Sequence, residues 1–115
     1  MTKEKQLVDL LLARTRAGTT SWEPTAEEDE FVTSVGGNSI WIRTVEPRNA
    51  SDNEPDVVLN VRDGDGRQVF SLYNGEGIAD LDFQTMRALH EAARRSALKI
   101  DQIMEAILKD LRGGQ

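Results

Sequence analysis

The chain has 115 residues, enough for one compact domain and too few for two. Its 38% hydrophobic and 30% charged residues are those of a globular protein, and exclude collagen-like, coiled-coil-only and disordered architectures. Fourteen Lys and Arg against twenty Asp and Glu give a net charge of −6, which repels phosphate backbones and argues against nucleic-acid partners.

The N-terminal segment, residues 1–18, reads as a helix. Leu7, Leu10 and Leu11 form an apolar stripe that Val8 and Leu12 widen. Thr2 suits the N-cap, and Gly18 stands where a helix stops in a left-handed residue. Asp9 interrupts the apolar run and no small-residue cleavage site follows, so an amphipathic helix is expected rather than a signal peptide. A connecting loop comes next, anchored by Trp22 and running into the acidic stretch Glu27-Glu28-Asp29-Glu30.

From residue 31 to 74 the period changes to that of strands. Four β-type runs are expected: Phe31–Val35, Ser39–Val45, Val57–Arg62 and Gln68–Tyr73. Gly36-Gly37-Asn38, the loop Pro47 to Pro55 and Asp63-Gly64-Asp65-Gly66 separate them. Such short connections admit no crossover helices, so the strands form an antiparallel meander. Asn74-Gly75-Glu76-Gly77 ends it, and a helical segment spans 80–112. Asp80 suits the cap of a helix carrying Leu81, Met86, Leu89, Ala93 and Ala97. Asp101 suits the cap of a second helix with Ile103, Ile107, Leu108 and Leu111. One continuous helix through Leu98-Lys99 is the alternative to this break. Residues 113–115 form a frayed tail. The expected fold is a single α+β domain: an N-terminal helix, a four-stranded antiparallel meander, and one or two C-terminal helices packed on one face of the sheet.

Alternation along the strands separates two faces. Phe31, Val35, Ile40, Ile42, Val57 and Leu59, continued by Val61, Phe70 and Leu72, are expected to meet the helices. The opposite face carries Trp41, Arg43, Val45, Val58, Arg62, Val69 and Tyr73, with Asn60 and Ser71 between them. Trp, Tyr and Arg are enriched at binding hot spots. These seven residues are therefore the candidate interaction surface, and a second copy of the chain is the expected partner.

Catalytic and metal chemistry find little support. The chain has no cysteine, so it has no disulfide, thiolate nucleophile or zinc-thiolate site. Its absence fits a reducing cytoplasm. His90 is the sole histidine, and no serine occupies a Gly-x-Ser-x-Gly elbow, so neither a metal centre nor a serine triad is expected. Asp63-Gly64-Asp65-Gly66 lacks the later ligands of a calcium loop and reads as a hairpin turn. The glycine-rich turns precede no Gly-Lys-Ser/Thr of a phosphate loop. The basic cluster Arg87, Arg94, Arg95 and Lys99, interrupted by Glu91, reads as a helix surface laced with ion pairs. No stretch approaches the roughly 20 apolar residues of a membrane span.

Two segments carry a resemblance. Leu11-Leu12-Ala13-Arg14-Thr15-Arg16-Ala17-Gly18 followed by Trp22-Glu23, and Leu89-His90-Glu91-Ala92-Ala93-Arg94-Arg95-Ser96-Ala97-Leu98 with Asp101 after it, resemble the two ends of a group of small bacterial proteins. The resemblance implies a bacterial α+β fold and no particular activity. In that group a glycine often stands where this chain has Lys99. The Gly113-Gly114-Gln115 ending resembles that of the prokaryotic ubiquitin-like modifier over three residues, and reads as a helix stop with a frayed end. The functional expectation is a non-enzymatic, cytoplasmic interaction or regulatory module without cofactors, homodimeric through the sheet face. Alternatives are an acidic chaperone or immunity-type partner of another protein, and a small ligand sensor or enzyme with a pocket between sheet and C-terminal helices.

Overall fold

A computed structural model describes residues 2–45, 56–73 and 83–113. The element order is α1 (Lys3–Arg16), β1 (Glu23–Pro24), β2 (Phe31–Val35), β3 (Asn38–Val45), β4 (Asp56–Arg62), β5 (Gln68–Tyr73), α2 (Phe83–Ala97) and α3 (Ile100–Gly113). The architecture is α+β, and the sheet is an antiparallel meander in the order β1-β2-β3-β4-β5. It therefore has five strands where the sequence predicts four. The added strand β1 is two residues of the expected loop, with Glu23 opposite Val32 and Pro24 opposite Phe31. Two residues carry no readable period, and proline belongs on an edge strand.

Thr2 caps α1 by accepting the backbone N–H of Lys5 at 3.1 Å, and Gly18 follows the helix with φ +80°. The buried stripe of α1 is Val8, Leu11 and Thr15, flanked by Leu7 and Leu12. Leu10, predicted to lie on that stripe, is 60% exposed. A turn of the helix toward Thr15 lets that hydroxyl meet Trp22 and swings Leu10 outward. In α2 the buried positions are Met86, Leu89, Ala93 and Ala97, as the spacing predicts. Asp80 and Leu81 lie outside the described residues, as do the loop Pro47 to Pro55, Asn74 to Gly77, and Gly114-Gln115.

The strand faces follow the predicted alternation in the centre of the sheet. Phe31, Ile42, Leu59 and Leu72 form one cross-strand row, and Thr33, Ile40, Val61 and Phe70 the next. The first row is fully buried beneath α2. Phe70 and Val35, expected in the same core, are 42% and 46% exposed: Phe70 lies on the edge strand β5, and Val35 is the last residue of β2. The β2–β3 turn is Gly36-Gly37 with φ +59° and +81°, the geometry that a tight hairpin demands of two glycines. At the β4–β5 turn the Asp63 carboxylate accepts the N–H groups of Asp65 (2.9 Å) and Arg67 (3.1 Å). That use of the carboxylate identifies an Asx turn.

Trp22 joins the layers. Its ring is 2% exposed, its indole Nε1–H donates to Thr15 Oγ1 on α1 (2.9 Å), and its backbone N–H donates to Ser96 Oγ on α2 (2.9 Å). Beside it, Thr33 Oγ1 on β2 donates to the Ser21 carbonyl (2.7 Å). Three hydroxyls from three elements thus hold one loop.

The break between α2 and α3 occurs at Leu98-Lys99, and Lys99 has φ +54°. Asp101 sits in the first turn of α3 rather than at its cap. Helix α3 departs furthest from the expected packing. It does not pack on the sheet: its contacts are chiefly with α2, and every residue from Asp101 to Gly113 is exposed.

Two outcomes test this account. Trp22→Ala is expected to destabilise the fold by about 3–5 kcal/mol through the cavity it leaves, and Ser96→Ala by about 1–3 kcal/mol through an unpartnered buried N–H, both read from denaturant midpoints. Lys99→Gly is expected to stabilise by about 0.5–1 kcal/mol, because glycine relieves the left-handed strain less its own extra unfolded-chain entropy.

Candidate interaction surface

The outer face of the sheet is where the sequence places the docking residues, and its own side chains largely close it. Arg62 lays its guanidinium 4.2 Å from the centroid of the Trp41 ring, a cation–π contact, while Trp41 Nε1–H donates to Ser39 Oγ (2.9 Å). Arg43, Val58 and Tyr73 form one cross-strand row. Val58, the middle one, is only 8% exposed. The Tyr73 hydroxyl donates to Asp56 Oδ2 at 2.6 Å, and Asp56 and Asn60 are both buried. Trp41, Arg43, Val45, Arg62 and Tyr73 are half-buried. Of the seven sequence-predicted residues, only Val69 is exposed, at 55%, on β5 at the edge of the sheet. The structure thus gathers the predicted set on and around one face, yet leaves little of its apolar surface open.

A groove of about 930 Å³ runs between the end of α1, the Trp22 loop, α2 and the start of α3. Its walls mix apolar residues, among them Trp22, Pro24, Ala88 and Ala92, with the charged Arg16, Glu23, Glu91, Lys99 and Asp101. Arg95 and Asp101 pair across it at 2.5 Å. His90 does not line this groove. Its Nε2–H donates to the Asp29 carbonyl at 2.9 Å, and its ring lies 5.5 Å from that of Phe31. His90 therefore pins the acidic loop to α2. Asp29 has φ +58°, so the loop reverses where the histidine grips it. Among the predicted basic cluster, Arg94 reaches Glu91 at 3.6 Å, one helical turn away. Arg94 and Arg95 thus each reach a carboxylate of the same helical surface, Glu91 and Asp101.

The large open apolar surface is on α3. Ile103 (52% exposed), Met104 (47%), Ile107 (53%), Leu108 (38%) and Leu111 (74%) recur at three- and four-residue spacings. At 3.6 residues per turn they occupy a stripe about 140° wide. Scattered apolar residues on a surface are ordinary, but a contiguous row this long is the pattern of a face that another element covers. The sequence shows the amphipathic spacing plainly. It does not show that the lysine in a left-handed conformation turns the helix away from the sheet that was expected to cover it.

Comparison with protein-family models, curated proteins and solved structures finds no match.

The closure of the sheet face is testable by fluorescence. Arg62→Ala is expected to raise the quenching of Trp41 by acrylamide and shift its emission to the red, with about 0.5–1 kcal/mol of lost stability. Buried Trp22 is the internal control, since it contributes little to quenching in either protein.

Proposed function

We propose that this chain is a protein-interaction module that docks through the apolar face of α3. The observation that carries the reading is the unbroken run Ile103, Met104, Ile107, Leu108 and Leu111, exposed on a helix that contributes no buried residue to the core. A helix of that kind gains little from its own domain. Isolated helices of this length are marginal in water, and tertiary packing of the apolar face is their usual stabiliser. An amphipathic helix laid against another helix or into an apolar groove is a recurrent recognition mode.

This reading moves the docking surface from the sheet to the C-terminal helix, because Arg62 and Tyr73 already engage the sheet's outer face. It is a non-enzymatic reading. His90 and Asp63, two of the residues with chemical potential, are both engaged with backbone groups. The absence of cysteine supports a reducing compartment. Among the described residues, no helix is long and apolar enough to cross a membrane.

The test compares the wild-type chain with the triple variant Ile103→Ser, Ile107→Ser, Leu111→Ser. The variant is expected to lose any bound chain, of its own kind or another, as read by light scattering on the purified protein and its complexes. Its thermal midpoint is expected to move by no more than about 5–10 °C, since surface substitutions away from packed features fall within about 0.5 kcal/mol each. Equal association by both proteins would refute the docking role, and a large fall in midpoint would assign α3 to the core instead.

A further inference from the structure

Resting on the docking role of α3, we infer that its partner is α3 of a second copy of this chain, laid antiparallel across a two-fold axis beside Ile107. Charge flanks the stripe unevenly along its length. On a helical projection Asp101 and Arg112 fall on the same edge of the apolar face, about 90–110° from its centre. They stand at opposite ends of the helix.

Antiparallel helices bring like edges together. With the axis at Ile107, Asp101 of one copy lies level with Arg112 of the other to within one residue, and the symmetry makes the contact twice. The same axis sets Ile107 against its own copy and Ile103 against Leu111, so the apolar rows coincide with the charge register. A parallel pair would instead set the Asp101–Arg112 edge against the opposite edge, where Asp110 is the flanking charge. It would also align the two helix dipoles unfavourably. Arg95, which already holds Asp101 at 2.5 Å, would share that carboxylate with the incoming Arg112.

The contact is small. Fourteen residues make a helix about 21 Å long. Two such faces bury less than the roughly 800 Å² per partner typical of stable complexes, so a weak, concentration-dependent dimer is expected. Closed two-fold dimers are also the commonest oligomers.

The absence of cysteine makes the geometry directly readable. In the full chain, Ile107→Cys is expected to form a disulfide-linked dimer on mild oxidation. Ile103→Cys and Leu111→Cys are each expected to cross-link poorly alone and well when mixed. By sedimentation, Asp101→Arg and Arg112→Asp are each expected to weaken self-association about three- to tenfold, and an equimolar mixture to restore it as a heterodimer. Circular dichroism confirms that each variant keeps its helices. Equally efficient self-linking at 103, 107 and 111 would mean parallel helices and overturn the proposal. So would a wild-type chain that stays monomeric at millimolar concentration. If that monomer binds a different protein and the triple serine variant does not, the docking role survives and only self-pairing falls. If the serine variant behaves as wild type in every assay, both readings fall.

Discussion

Trp22 is held at both of its polar groups, by Thr15 on α1 and by Ser96 on α2. The rest of the molecule is arranged around that constraint. An indole buried to 2% with its N–H unpaired would forfeit much of what its apolar area contributes, so the hydroxyl must be present and correctly aimed. Aiming it fixes the rotation of α1, which buries Thr15 and sends Leu10 into solvent. Ser96 fixes α2 against the same loop one residue before its last buried alanine. Strand β1 follows Trp22 directly and takes its short register from the anchored backbone.

That arrangement leaves a division of labour between the helices. α1 packs chiefly along α2, and α2 lies on the sheet. Both therefore bury a stripe in the common core, whereas α3 begins after a left-handed residue and buries nothing. The molecule's radius of gyration, 15.9 Å, exceeds the roughly 13 Å of a compact domain near this length, as a projecting helix requires. A wide apolar stripe on such a projection is the feature that the proposed docking role explains. The sheet's outer face shows the contrasting case. It is equally rich in aromatic and β-branched residues, but Arg62 over Trp41 and Tyr73 on Asp56 engage them within one chain.

Much of this is readable before any coordinates. Thr2, Gly18, the Gly36-Gly37 turn and the hairpin turn at Asp63 each act through a local hydrogen bond or a backbone angle, and local effects are written in adjacent residues. The alternation of Ile40, Ile42, Leu59 and Leu72 names the core of the sheet for the same reason. The candidate surface was legible only in part. Residue types mark Trp41 and Tyr73 as sticky, but whether a sticky residue is open depends on which neighbour lies over it, and Arg62 is twenty-one positions away in sequence.

The sequence by itself determined the α+β class, the meander, the turns and the amphipathic character of every helix, because each rests on spacing within a few residues. Only the tertiary structure decided which amphipathic faces are satisfied. The hydroxyls that grip Trp22 come from α1 and α2, separated by some eighty residues, and the direction of α3 hangs on the left-handed backbone of Lys99. Burial is a property of the assembled neighbours, and no local pattern contains it.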